Sequence, residues 1–420
     1  MESFIVEGRD KLEGIVDIGG SKNAALPILA STVIMGREYL LENIPDIEDV
    51  KDMLEILRSM GCTAQYDNGI AIIDSRGLNT SQVPEKLVRK IRSSIILMGA
   101  VLQRTGNVEI AYPGGCEIGL RPIDLHLKGL RKLGVEILEK NGLLVGSVKE
   151  PSGCEIQLDY PSVGATENIM LFAVATPGKT VIYNPAKEPE IVDLQNFLNV
   201  CGYCISGAGT GSIVIEGKKT ENATAVEYKI ISDRIEAGTY LSAAASMKSK
   251  IYIRNIEKSH FKSITSIYED AGCKIRETHG TIVISNDHRI KAIEKITTQP
   301  YPGFPTDMQA QFMASMATAD GITIIEETVF DSRYKHVPEL QKMGANITTI
   351  GRVAVVEGVS RLYSSEVEAK DLRGGAALVI AALGAEGTTK INNVHHINRG
   401  YEKFLYKLQN IGVIITQTSD

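Results

Sequence analysis

Six copies of one α/β unit, gathered as two domains of three, are what the sequence predicts. Three observations carry this. A glycine closing an apolar run recurs at Gly61, Gly134, Gly202, Gly272, Gly344 and Gly412, about 70 residues apart. An alternating stretch and then a glycine turn follow it from copy to copy. The last copy stops soon after Gly412, and what it lacks stands at the other end of the chain: Ile5-Val6-Glu7-Gly8 parallels Val355-Val356-Glu357-Gly358.

Each element of the unit has its own signal. Apolar residues at three- and four-residue spacing, such as Leu54, Leu57 and Met60 or Leu340 and Met343, predict an amphipathic helix ended by the glycine. Alternation in 62–66 and 345–349 predicts a strand, and Gly69, Gly142, Gly211, Gly280 and Gly351 turn it into a second strand, giving a hairpin. A second helix and a strand, as in 307–327 or 371–393, complete the copy. With the N-terminal strands finishing the last copy, the domains are 21–230 and 231–420 plus 1–20. Each is of ordinary domain size.

Composition narrows the function. The net charge of −6 and the lack of a Lys/Arg block argue against a nucleic-acid binder. No apolar run is long enough to span a membrane, and the N-terminus shows no secretory signal, so a cytoplasmic protein is expected. Six cysteines in so long a chain do not form a disulfide framework. Cys62, Cys204 and Cys273 fall just past the helix glycines, which predicts core positions and removes Cys201/Cys204 as a metal-binding pair. Cys154 reads as structural. The adjacent His395 and His396 are expected to point apart, so no metal site is predicted. Gly207-Ala208-Gly209-Thr210-Gly211 resembles a dinucleotide-binding loop, but it joins strand to strand and reads as a hairpin turn.

One stretch breaks the repeat. Residues 111–134 are about five longer than 43–61, 184–202, 255–272 and 327–344, and the excess holds Pro113-Gly114-Gly115-Cys116. A departure from a repeating scaffold is a natural place for function. Behind two glycines and before Arg121, Cys116 has the setting of a reactive thiol.

The second helix of each copy starts on polar residues: Ser21-Lys22-Asn23, Arg92, Ser162, Asp233-Arg234, Thr306-Asp307 and Asp371-Leu372-Arg373. Ser and Asp there are ordinary caps. Cations there oppose the helix dipole, so Lys22, Arg92, Arg234 and Arg373 need another partner, either a bound anion or a structural carboxylate. With Arg121, Arg333 and Arg399 they suit a substrate of several negative charges.

On these residues the chain resembles the enolpyruvyl transferases. The motifs run its whole length: 21–27, 113–116, 121–125, 162–166, 188–192, 233–236, 304–308, 336–340 and 399–402. The resemblance implies two inside-out α/β domains, each of three βαβαββ units. It implies transfer of the enolpyruvyl group of phosphoenolpyruvate to the 3-hydroxyl of UDP-N-acetylglucosamine, with loss of phosphate, as a step of peptidoglycan synthesis. Catalytic roles fall to Cys116 as general acid, Asp307 as base or positioning group, and Lys22 and Arg399 as charge-balancing groups. Substrate contacts fall to Lys22, Asn23, Arg92, Arg121, Pro122, Ile123, Asp124, Leu125, Ser162, Val163, Gly164, Asp307, Val329, Arg333, Asp371, Arg373 and Arg399. No metal or organic cofactor is implied, and fosfomycin is expected to modify Cys116. Ser21 and Asn398 stand where many relatives carry alanine and aspartate.

Two alternatives sit beside this reading. The shikimate-pathway enolpyruvyl transferase shares the fold but lacks the Pro-Gly-Gly-Cys loop. A regulatory paralogue without turnover would not need Lys22, Cys116, Asp307 and Arg399 together.

Overall fold

The computed structural model describes residues 2–114, 123–218 and 224–419. They fall into two compact units, an N-terminal one within 20–231 and a C-terminal one of 2–19 and 232–419. Cys116, Arg121 and Pro122 lie outside the described residues.

Each unit holds three small sheets made to one pattern. In the sheet of Lys295–Thr297, Ile322–Glu326, Val353–Glu357 and Asn346–Ile350, the first pair is parallel and the other two pairs are antiparallel. The same order recurs in four other sheets. In the sixth, built from Asn107–Ala111, Leu143–Val148 and Val135–Lys140, the first strand shrinks to a parallel bridge between Gln82 and Glu109. The repeat closes circularly in both units. Strand Glu2–Glu7 lies between Thr388–Asn392 and Ile414–Ser419, and Lys11–Asp17 pairs in parallel with Lys248–Arg254. Likewise Val226–Lys229 returns to pair with Glu38–Glu42.

Sheets lie outside and helices inside. Alternation leaves every second strand residue exposed, as in Ile322–Glu326, while the helices that begin on the polar clusters are buried nearly all round. In the C-terminal unit these are Arg234–Ala245, Gln309–Met316 and Leu372–Leu383, packed on one another. In the N-terminal unit they are Lys22–Ser31, Leu97–Thr105 and Val163–Ala173. A helix buried on all sides needs apolar or small residues throughout, which Ala, Leu, Ile and Gly supply here. The other helices, such as Glu48–Ser59, are amphipathic. All six end on the repeat glycine, with φ between 90° and 106°, a region that side chains with a β-carbon avoid.

A second repeated turn ends the central strand. Asn43, Asn184, Asn255 and Asn393 adopt left-handed φ of 52° to 60° there, which asparagine tolerates better than most residues. Asn43 and Asn184 also donate to the main chain of the neighbouring first strand or its end, at Ile230 O (2.9 Å) and Leu158 O (3.0 Å). Two copies lack this asparagine. They carry Tyr112, just before the Pro-Gly-Gly-Cys stretch, and Glu327, which holds the Thr306 hydroxyl next to Asp307.

Two sequence expectations need correction. Cys204 is exposed, not core. It stands two residues past its glycine where Cys62 and Cys273 stand one past theirs, and on a strand one residue changes the face; Tyr203 fills the buried position instead. The rings of His395 and His396 do not diverge either. In the short helix His395–Asn398 their centroids are 4.1 Å apart. Residues 207–211 form a hairpin turn between antiparallel strands, with Thr210 N donating to Gly207 O. No helix among the described residues is long and apolar enough to cross a membrane.

Candidate active site

In the N-terminal unit, Ser21 caps its helix by accepting from Ala24 N, and Ser162 caps the next by accepting from Ala165 N. Lys22, the first residue of its helix, reaches Asp49 Oδ2 at 2.8 Å. Asp49 is buried in the first turn of Glu48–Ser59, so a carboxylate answers the cation that opposed the dipole. Arg92 Nη1 approaches Pro113 O at 3.4 Å, at the start of the stretch that leads to Cys116. Gly114 is required there, since a β-carbon on it would fall 2.1 Å from Arg89 O.

Ile123 opens the segment that follows the loop. Its side chain belongs to the core, which leaves its main chain as the part available to a ligand. Asp124 is exposed and Leu125 half-buried. His126 follows, buried against Gly164, where an added β-carbon would lie 3.0 Å from the ring. Asn168 Nδ2 lies 3.1 Å from His126 Nδ1 and donates to Ile95 O at 2.9 Å, while its Oδ1 accepts from Gly99 N at 2.6 Å. An amide donor makes Nδ1 the acceptor, so the imidazole carries its proton on Nε2. Burial pushes the His126 pKa down to about 4, and the Arg92 charge adds to this. A neutral ring thus connects the Arg92 region with Gly164. Asn23 and Val163 are half-buried nearby in sequence, each in the first turn of its helix.

In the C-terminal unit the site residues gather on Asp307. Its Oδ1 accepts from Arg333 Nη2 at 2.9 Å and its Oδ2 from Arg373 Nη2 at 3.0 Å. Both arginines are buried, with 3% of each exposed, whereas the Asp307 side chain keeps 29%. Burial works against the Arg373 charge, but Asp307, then Tyr401 and Asp233, hold its pKa raised. Two guanidiniums fix the carboxylate in place, one on each oxygen.

Glu327 sets the other side of this cluster. It is 1% exposed; its Oε1 accepts from Thr298 Oγ1, Val329 N and Phe330 N, and its Oε2 from Thr306 Oγ1, at 2.8 to 3.1 Å. One buried carboxylate therefore positions Val329 and the residue before Asp307. Asp371 Oδ1 caps its helix by accepting from Arg373 N and Gly374 N. Among the described residues, Asp371 Oδ2, both His336 ring nitrogens, and Nε of Arg333 and Arg373 are buried without a hydrogen-bond partner. Burial pushes His336 down to about 4, opposed by Asp371. Arg399 is half-buried after the helix His395–Asn398.

The choice left open by the sequence, anion or carboxylate, thus has a carboxylate at Lys22 and at Arg373. Arg234 lies over the Tyr301 ring, 5.5 Å from its centroid. Sequence reasoning missed Asp49, His126 and Glu327. Glu327 left one signal, being the acid that replaces a repeated asparagine. No group of three or more His, Cys, Asp and Glu among the described residues could hold a metal ion.

Known proteins resemble the chain along its length. The family described as EPSP synthase (3-phosphoshikimate 1-carboxyvinyltransferase) matches residues 6–408. UDP-N-acetylglucosamine 1-carboxyvinyltransferase 2 of Caldanaerobacter subterraneus is 48% identical over 417 residues, covering 99% of this chain and 100% of its own. UDP-N-acetylglucosamine 1-carboxyvinyltransferase of Thermotoga maritima is 45% identical over 417 residues, covering 99% and 98%. Among solved structures, the enolpyruvyl transferase NikO from Streptomyces tendae superposes with a TM-score of 0.90 at 24% identity, over 100% of this chain and 99% of its own, and that likeness speaks for the fold alone. The chain belongs to the enolpyruvyl transferase family, and within it to the UDP-N-acetylglucosamine 1-carboxyvinyltransferases.

Proposed function

We propose that this protein transfers the enolpyruvyl group of phosphoenolpyruvate to the 3-hydroxyl of UDP-N-acetylglucosamine and releases phosphate, with Cys116, Lys22, Asp307 and Arg399 as the catalytic groups. The observation that carries it is near-full-length identity of 45–48% to relatives of that name, joined to an aspartate held by two buried arginines.

The chemistry assigns each group a task. In the addition step the Cys116 thiol gives its proton to the methylene carbon of phosphoenolpyruvate. The sugar 3-oxygen bonds to the carbon bearing phosphate, and its proton passes to the Asp307 carboxylate. A tetrahedral ketal results. In the elimination step the Cys116 thiolate takes a proton from the new methyl group, the carbon–oxygen bond to phosphate breaks, and Asp307 returns its proton to the leaving phosphate. Both groups end as they began. Lys22, Arg121 and Arg399 balance phosphate and carboxylate charge, with Arg92, Arg333, Asp371 and Arg373 supporting them. Asn23, 121–125, 162–164 and Val329 contact the nucleotide sugar. The work is cytoplasmic, and it supplies peptidoglycan synthesis.

Phosphate release tests the assignment. Turnover is expected with phosphoenolpyruvate and UDP-N-acetylglucosamine, and none with shikimate 3-phosphate as acceptor. Release only with shikimate 3-phosphate would overturn it. Fosfomycin is expected to add its mass to the peptide of Cys116 and to abolish turnover, and Cys116→Ser is expected to resist; labelling of Cys62 or Cys154 instead would remove Cys116 from its role.

A further inference from the structure

Tyr401 stands two residues after Arg399 and has no part in the steps above. It is 2% exposed and touches all three inner helices of the C-terminal unit. From Arg234–Ala245, Thr239 Oγ1 lies 2.8 Å from the tyrosine hydroxyl. From Gln309–Met316, Gln311 Nε2 donates to that hydroxyl at 3.1 Å and to Thr239 Oγ1 at 3.3 Å. The Thr239 proton goes to Ile235 O at 2.8 Å, so the tyrosine is the donor toward Thr239 and the acceptor from Gln311. From Leu372–Leu383, the Arg373 guanidinium lies over the ring, 5.4 Å from its centroid. The same guanidinium holds Asp307 Oδ2.

A purely space-filling role is the competing account. Tyr401 does pack on Phe404, with centroids 4.8 Å apart. Phenylalanine would fill that volume equally well, without a buried hydroxyl that must be satisfied. Nor would filling require an arginine on the ring face, where a desolvated cation is attracted by the ring quadrupole.

We infer that Tyr401 is a positioning residue for Asp307: its ring sets the Arg373 guanidinium, and its hydroxyl locks the ring to the two neighbouring inner helices. The inference rests on the role given to Asp307 above.

Three full-chain variants test it: Tyr401→Met, Tyr401→Phe and Gln311→Met. In Tyr401→Met kcat is expected to fall about 10- to 100-fold, the scale of a small misplacement of a catalytic group, with KM for both substrates within about threefold. Tyr401→Phe loses the same hydroxyl but keeps the ring, and is expected to lose kcat only several-fold. Equal losses in the two variants, tracking their thermal stability, would mean a structural role only and overturn the inference. Should Tyr401→Met not fold, Gln311→Met takes its place, with a several-fold loss of kcat expected and wild-type kcat overturning. A second readout needs no turnover. The Arg373 Nε–H nuclear magnetic resonance signal is expected upfield in wild type and Tyr401→Phe through the ring current, and in its ordinary position in Tyr401→Met. An ordinary position in wild type refutes the inference even if the reaction is assigned correctly. An upfield signal in a wild type without turnover keeps the inference and sinks the assigned reaction.

Discussion

Asp307 is the residue on which most of the C-terminal site depends. Its two buried arginine partners each hold one carboxylate oxygen, so removing either takes away one of the two bonds that orient it. Asp307→Asn is expected to lower kcat by about 100-fold or more while leaving the fold intact, the usual scale for a lost general base; full activity would remove Asp307 from catalysis. His126 makes a different kind of statement. Folded, it titrates near pH 4, whereas an unfolded histidine titrates near 6.5. Between those values the unfolded chain binds more protons, so this contribution to stability is complete above pH 6.5 and is lost as pH falls. His126→Phe is expected to reduce the stability lost between pH 7.5 and 5 by about 2 kcal/mol in urea unfolding. An unchanged pH dependence would contradict a buried neutral ring. Lys22 and Arg373 were legible in the sequence because a cation at a helix start is locally wrong. Asp49 and Glu327 were not, because nothing local marks which carboxylate will arrive beside which cation.

At the scale of the element, the repeat explains what could be read and what could not. The amphipathic helices and their closing glycines follow from periodicity and from φ values near 90° to 106°. Asn184 shows the finer point. With φ of 52° and a bond to Leu158 O, Asn184→Ala is expected to cost about 1–2 kcal/mol and Asn184→Gly markedly less, since only the first is strained in the left-handed region. Equal costs in thermal or denaturant unfolding would refute the backbone argument. Cys204 marks the limit of pattern reading: a one-residue offset on a strand reverses exposure, and spacing from the glycine alone did not resolve it. Where Tyr112 and Glu327 replace the asparagine, the chain leaves the repeat, and candidate functional residues follow.

For the whole molecule, the circular break assigns the N-terminal strand a central place. Glu2–Glu7 is hydrogen-bonded on both sides, so deleting residues 2–7 removes an inner strand, not an edge. Hydrogen exchange of such a deletion is expected to lose protection in Thr388–Asn392 and Ile414–Ser419 while Glu38–Glu42, in the other unit, keeps its own; uniform loss would contradict two separately closed units. The double-trio architecture was legible because it repeats six times. The reaction was legible only through motif resemblance, since arginines and a loop cysteine specify charge and reactivity but not the acceptor. The central claim is addition followed by elimination onto the sugar 3-oxygen. Proton resonance spectra of the product formed in D2O test it most directly. The account predicts an enol ether at the 3-position whose vinyl methylene has gained deuterium, because that carbon passes through a methyl group. An enol ether free of deuterium, or one attached elsewhere, would contradict it.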